Sequence, residues 1–173
     1  MFRHRMADDE VREGYHIERP NRTKSSSKMM KLVVALLLLG SAALMIAVSV
    51  GGWDKLSGVK SIQIGYIVIY ILMAFLVMRW NRGVLPLAAA LAIILAIFAG
   101  IAGTGWATRG GEGFASTDLN AETLSLIVFL IVPVQVLLIA FSMGAFQQGW
   151  NVEVEVPDGE TYSPRKHGDL GTA

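Results

Sequence analysis

Four apolar stretches, Leu32 to Gly52, Ile62 to Met78, Val84 to Gly103 and Leu124 to Phe146, contain no Asp, Glu, Lys, Arg or His. The hydrocarbon core of a bilayer is about 30 Å thick and takes about 20 residues of helix to cross, so each stretch has the length of a span. The second is the shortest, at 17 residues. Val59, Lys60 and Arg79 extend it, the two cations snorkelling toward the interfaces. A soluble protein also holds helices that are apolar all round, but only inside a polar shell. A chain of 173 residues with 17% charged and 53% hydrophobic residues has too little polar helix to enclose four of them. The fold class predicted is therefore an all-α integral membrane protein, a four-helix transmembrane bundle. Residues 32–147 form its membrane domain, between a disordered basic tail, 1–31, and a polar tail, 148–173.

The net charge of +1 conceals an asymmetry. Arg19, Arg22, Lys24, Lys28 and Lys31 precede the first run, Arg79 and Arg82 follow the second, and Arg165 and Lys166 follow the fourth. The alternate segments carry only Lys55, Lys60 and Arg109. Nine cations against three, with an even number of spans, place both termini in the cytoplasm by the positive-inside rule. A basic segment before an apolar one also describes a secretory signal, but this run is longer than the usual 7 to 15 residues of a signal core and reads as an anchor. A plasma membrane or bacterial inner membrane is the expected location.

Each run is followed by a tryptophan: Trp53, Trp80, Trp106 and Trp150. Indole prefers the headgroup level, so these four are expected to be interface anchors. Within the runs, the third carries Ala88, Ala92, Ala96 and Gly100 every four residues, with Ala99 and Gly103 repeating the spacing beside them. Ridges of small residues let membrane helices approach closely, so this helix is expected to pack centrally, against its own bundle or against another chain. Ala43 and Ala47 give the first helix a shorter version.

Polar residues are few and fall at mid-depth. Gln63, Tyr66 and Tyr70 share one face of the second helix, by their spacing of three and four residues. Ser41, Tyr70, Pro133 and Gln135 lie near the middles of their runs and form a predicted midplane layer, with the Tyr70 hydroxyl and Gln135 amide facing the interior. Pro133 removes one backbone donor and frees the Phe129 carbonyl, which predicts a kink. Such a layer serves either as interhelical hydrogen bonds or, in transporters, as a solute site.

The remaining chemistry is sparse. The chain has no cysteine, and His4, His16 and His167 lie in the tails. No nucleophile with a base, carboxylate pair or metal set appears in the spans, so neither a catalytic site nor a cofactor is expected. No nucleic acid is expected as a partner. The loop from Thr104 to Ala121 is rich in glycine but lacks the lysine and strand of a phosphate loop, and reads as a connection carrying Arg109, Glu112 and Asp118. Ser116, Thr117, Asp118, Asn120 and Glu122 offer capping for the fourth helix. Arg19 to Lys31 is a topology signal that would also attract anionic lipid. Val152 to Val156 alternates apolar with acidic residues, and is expected as an extended solvated tail or as a strand added to a partner's sheet. The functional reading is an accessory or scaffold subunit associating with other membrane chains or with itself; the alternative is a small transporter or channel for a neutral solute.

Overall fold

The computed structural model describes residues 14–56, 58–109 and 119–163. In chain order these form β1 (Tyr15–Glu18), α1 (Pro20–Thr23), α2 (Ser25–Gly52), a 3₁₀ turn at Trp53–Lys55, α3 (Lys60–Met78), α4 (Val84–Thr108), α5 (Ala121–Gln147) and β2 (Val154–Pro157). α2 to α5 coincide with the four apolar runs, and all four are long and apolar enough to cross a membrane. Their ends exceed the uncharged segments because backbone hydrogen bonding continues through Ser25–Lys31 and through Thr104–Thr108. Polarity marks where a helix leaves hydrocarbon, not where it stops.

The helices are not equivalent in the bundle. α4 packs most extensively on α5, α2 touches both α3 and α5, and α3 meets α4 only sparsely. The core that results includes Val34 and Leu38 of α2, Met73 and Val77 of α3, Leu85 and Ala92 of α4, and Val128 and Leu138 of α5. Leu36, Val68, Ile97 and Leu126 stay exposed on the outside. Apolar residues both inside and outside are the pattern of a helix that faces protein on one side and lipid on the other.

Local chemistry ends the helices. The Asn120 side chain accepts the Thr123 amide at 2.8 Å, capping α5 as expected; Ser116, Thr117, Asp118 and Glu112 lie outside the described residues. α3 closes in a Schellman motif, with Trp80 N–H donating to Val77 and Asn81 N–H to Leu76. That motif puts Trp80 at φ 64°, where glycine is usual. Packing holds it there: the Trp150 ring lies edge-on at 5.3 Å and the Lys31 ammonium at 4.1 Å from its centroid.

Two expectations fail at the end of the bundle where α2 begins and α5 stops. Residues 14–31, read as part of a disordered tail, are ordered as β1, α1 and the first turns of α2. The 150s form β2, which pairs antiparallel with β1 from Tyr15 opposite Pro157 to Glu18 opposite Val154. The fold is thus helical with one small sheet, not purely α. Each segment alone is polar and too short to be stable, and neither reveals from its own composition that the other lies across from it. Residues 1–13 and 164–173 lie outside the described residues.

Candidate functional site

Of the four residues expected in one layer, Ser41, Tyr70 and Gln135 meet and Pro133 does not. The Tyr70 hydroxyl donates to Gln135 Oε1 at 2.9 Å, and Gln135 Nε2 donates to Ser41 Oγ at 2.9 Å. Ser41 Oγ in turn donates to the Leu37 carbonyl at 2.7 Å. Three helices, α2, α3 and α5, are tied at one level, and all three side chains are fully buried. The predicted inward orientation of Tyr70 and Gln135 is what the structure has. Pro133 does not belong to the layer. It is exposed on the outer face of α5, and the helix runs on through it from Ala121 to Gln147. Two residues of separation on a helix is about 200° of rotation, which is why Gln135 points in and Pro133 points out.

The small-residue ridge is used in part. Ala88 and Ala92 are fully buried, whereas Ala96 and Gly100 are only partly so, and a Cβ at Gly100 would meet nothing within 4 Å. A strict four-residue step drifts about 40° per repeat around a helix of 3.6 residues per turn, so the stripe rotates out of the seam. The buried line continues instead through Leu95, Ala99 and Gly103. Gly103 is a true close contact, since a Cβ there would lie 2.8 Å from Phe129 Cε1. The Ser125 hydroxyl of α5 also donates to the Gly103 carbonyl at 3.0 Å. Of the shorter version on α2, Ala43 is exposed and Ala47 half-buried.

The tryptophans divide likewise. Trp53 is exposed, with the Lys60 ammonium 4.5 Å above its ring, as an interfacial residue would be. Trp80 is half-buried, and Trp106 and Trp150 are buried within the protein. Trp106 fills the space left by Gly52, where a Cβ would lie 2.8 Å from its ring. Position at the end of an apolar run gives the depth of a tryptophan, but not which way it faces.

Sequence reasoning missed the terminal clasp. Arg22 Nε donates to the Trp150 carbonyl at 3.0 Å, its other nitrogen reaches Asn151 Oδ1, and Asn21 Nδ2 donates to the Gly149 carbonyl. Arg19 Nε meets Glu153 Oε1 at 2.9 Å, and Arg82 Nε closes the end of α5 on the Phe146 carbonyl at 2.8 Å. Partial burial first, and then the neighbouring Arg19, lower the Arg22 pKa, with Glu153 opposing. Three of the five cations read as a lipid-attracting patch therefore contact the protein itself: Arg19, Arg22 and, over Trp80, Lys31. Lys24 and Lys28 remain exposed. The available signal was charge complementarity, since residues 1–31 carry eight cations against five acids and residues 147–173 two against five.

At the opposite end, α3 and α4 stand apart around a groove of about 330 Å³. Gln63 and Tyr66 line it, but Ser41, Tyr70 and Gln135 do not. It stops at Tyr66, whose ring lies edge-on to Tyr70 at 5.8 Å. Among the described residues, no group of three or more His, Asp and Glu is placed to hold a metal ion. No family model matches this chain, and no curated protein or solved structure matches it significantly.

Proposed function

We propose that the chain is a multi-pass integral membrane protein without catalytic machinery, an accessory or scaffold subunit with both termini in the cytoplasm. The observation that carries this reading is the closed Ser41–Gln135–Tyr70 triad. A solute path through the bundle needs polar groups that can exchange partners with a passenger. Here each amide and hydroxyl of the mid-level is already committed to another helix, at full burial. Interhelical bonds of this kind contribute about 0.6 to 2 kcal/mol each in a membrane, a structural role.

Two further features support a role in assembly. Ala96 and Gly100 leave a shallow strip on the outside of α4 with nothing above Gly100, a place where a second helix can approach closely. The clasp gives the proposed cytoplasmic end a fixed shape, built from Arg19, Asn21 and Arg22 against residues 149–153. The test is native mass determination of the full chain from mild detergent, with Gly100→Leu beside wild type. A discrete complex with another membrane chain or a second copy, lost in Gly100→Leu, supports the reading. A monomer that passes neutral solutes in liposomes overturns it in favour of the transporter alternative.

A further inference from the structure

The groove between α3 and α4 has an identifiable cause. Gln63 Nε2 donates to the Met45 carbonyl at 3.0 Å and to Ser49 Oγ at 2.9 Å, which draws the first turns of α3 onto α2. The last turns of α4 are held by Trp106 over Gly52 and by Gly103 beneath Phe129. The space of about 330 Å³ left between them has the size of a small-molecule site, for which about 300 to 1,000 Å³ is usual.

Its polarity is arranged across the groove, from one wall to the other. The α3 wall carries Gln63 and Tyr66, one helical turn apart, whereas α4 contributes Leu95, Phe98, Ala99 and Ala102. The side chains that α2 and α5 add, Met45 and Ile131 among them, are also apolar. Apart from the Trp106 indole, Gln63 and Tyr66 are the polar side chains of the lining. Nothing ionised belongs to it: Lys60 and Arg109 lie outside the lining, their cations over Trp53 at 4.5 Å and Trp106 at 5.2 Å.

The two polar side chains on α3 have complementary needs. The Gln63 amide nitrogen is spent on α2, which leaves Oε1 as an acceptor. Neither that oxygen nor the Tyr66 hydroxyl has a hydrogen-bond partner among the described residues. With α3 spanning a bilayer, Tyr66 stands about 9 Å along the helix from Lys60. At that depth water is scarce, and a polar group left unpaired costs free energy. A single hydroxyl satisfies both, accepting from Tyr66 and donating to Gln63 Oε1. A ketone or ester answers only Tyr66, and a carboxylate or phosphate would bring its charge to a lining without a cation.

We propose that the groove binds a neutral alcohol with an apolar body, entering from the bilayer between α3 and α4. Its hydroxyl bridges Tyr66 and Gln63, and its hydrocarbon lies against the α4 wall. The proposal rests on the reading that the four helices span a bilayer, and it is independent of the accessory role.

The test uses the full chain in phosphatidylcholine vesicles, with a decanol carrying a photoactivatable diazirine as probe and mass spectrometry to locate the adducts. Wild type is expected to label saturably on the groove lining, and unlabelled decanol should compete. Decyl methyl ether, which cannot donate to Gln63, should compete about fivefold less well at equal concentration in the bilayer. Tyr66→Phe removes the other hydrogen bond and weakens binding by a similar factor. Ala102→Phe, at an exposed lining position, fills the groove and abolishes saturable labelling, while Ala90→Phe, exposed on α4 outside the groove, leaves it intact. Unsaturable labelling, or equal labelling of wild type and Ala102→Phe, overturns the groove as the site. Equal competition by the ether overturns the hydroxyl assignment, a comparison that needs no substitution. Alkaline extraction of membranes separates the two levels: a chain released by carbonate refutes the spanning reading, whereas a chain that stays in the membrane without saturable labelling refutes the alcohol site alone.

Discussion

Replacing Gln135 by leucine keeps the side-chain volume close to native while deleting both hydrogen bonds that cross the bundle at mid-level. The amide accepts from Tyr70 and donates to Ser41, each at 2.9 Å. At about 0.6 to 1.7 kcal/mol per interhelical bond, their loss costs about 1 to 3 kcal/mol. Ser41 keeps its bond to the Leu37 carbonyl and is not orphaned. Tyr70 is different, because its hydroxyl is fully buried and loses its acceptor, which adds a desolvation cost of about 1 kcal/mol or more. Gln135→Leu should therefore lose about 2 to 4 kcal/mol. Tyr70→Phe alone leaves the Gln135 carbonyl without this donor and should lose about 1 to 2 kcal/mol. In the double variant both members of the Tyr70–Gln135 bond are gone and Ser41 keeps its bond to the Leu37 carbonyl, so no buried partner is orphaned and the loss should fall well short of the sum, with a coupling of about 1 to 2 kcal/mol. Reversible unfolding in mixed micelles, read by helical ellipticity, measures all four states of the cycle. Additive losses, or a Gln135→Leu cost below about 0.5 kcal/mol, would refute the triad as the bond between α2, α3 and α5.

Three further outcomes follow from single contacts. Gly52→Ala forces a methyl to within 2.8 Å of the buried Trp106 ring and should cost about 1 to 3 kcal/mol, whereas Gly100→Ala meets nothing and should be neutral or stabilising by up to about 1 kcal/mol; thermal shift assays on both separate a packed glycine from an idle one. Pro133→Ala lies on the exposed face and supplies the amide that Phe129 O lacks, so stability should hold or rise, and a loss above about 1 kcal/mol in the same assay contradicts the outward placement of Pro133. Arg22→Ala removes the bonds to Trp150 and Asn151, so hydrogen exchange should quicken at the Val154 to Val156 amides and stay slow in α2 to α5; unchanged exchange in β2 would show that the sheet does not depend on the clasp.

What the sequence made legible follows from which physical signals are local. The absence of charge over four runs of 17 residues or more marks four helices, because a barrel strand needs only about 9 to 11 residues to cross hydrocarbon and a helix about 20. Tyr70 and Gln135 were legible as partners because mid-depth polar groups in apolar helices have few others to meet. Helical phase was legible only over short distances: Ala88 and Ala92 pack, but the extrapolation to Ala96 and Gly100 accumulated the 40° drift, and Pro133 was assigned by depth where rotation decided. Direction also escaped the tryptophans, since Trp53 and Trp106 stand at equivalent points of their runs and only the contact with Gly52 distinguishes them. The clasp was least legible, as β1 and β2 are separated by all four long helices and are recognisable only as a pair.

The absence of cysteine from the sequence provides the most direct test of the closed interior. Ser41→Cys places a single thiol in the triad, and Lys24→Cys places one at an exposed position near the start of α2. In sealed membranes treated from either side with a charged, water-soluble thiosulfonate, Cys at position 24 should label from the cytoplasmic face while Cys at position 41 stays unmodified until detergent denaturation. Labelling at position 41 in the folded protein, at a rate approaching that at position 24, would show water at mid-depth and contradict a closed, purely structural core.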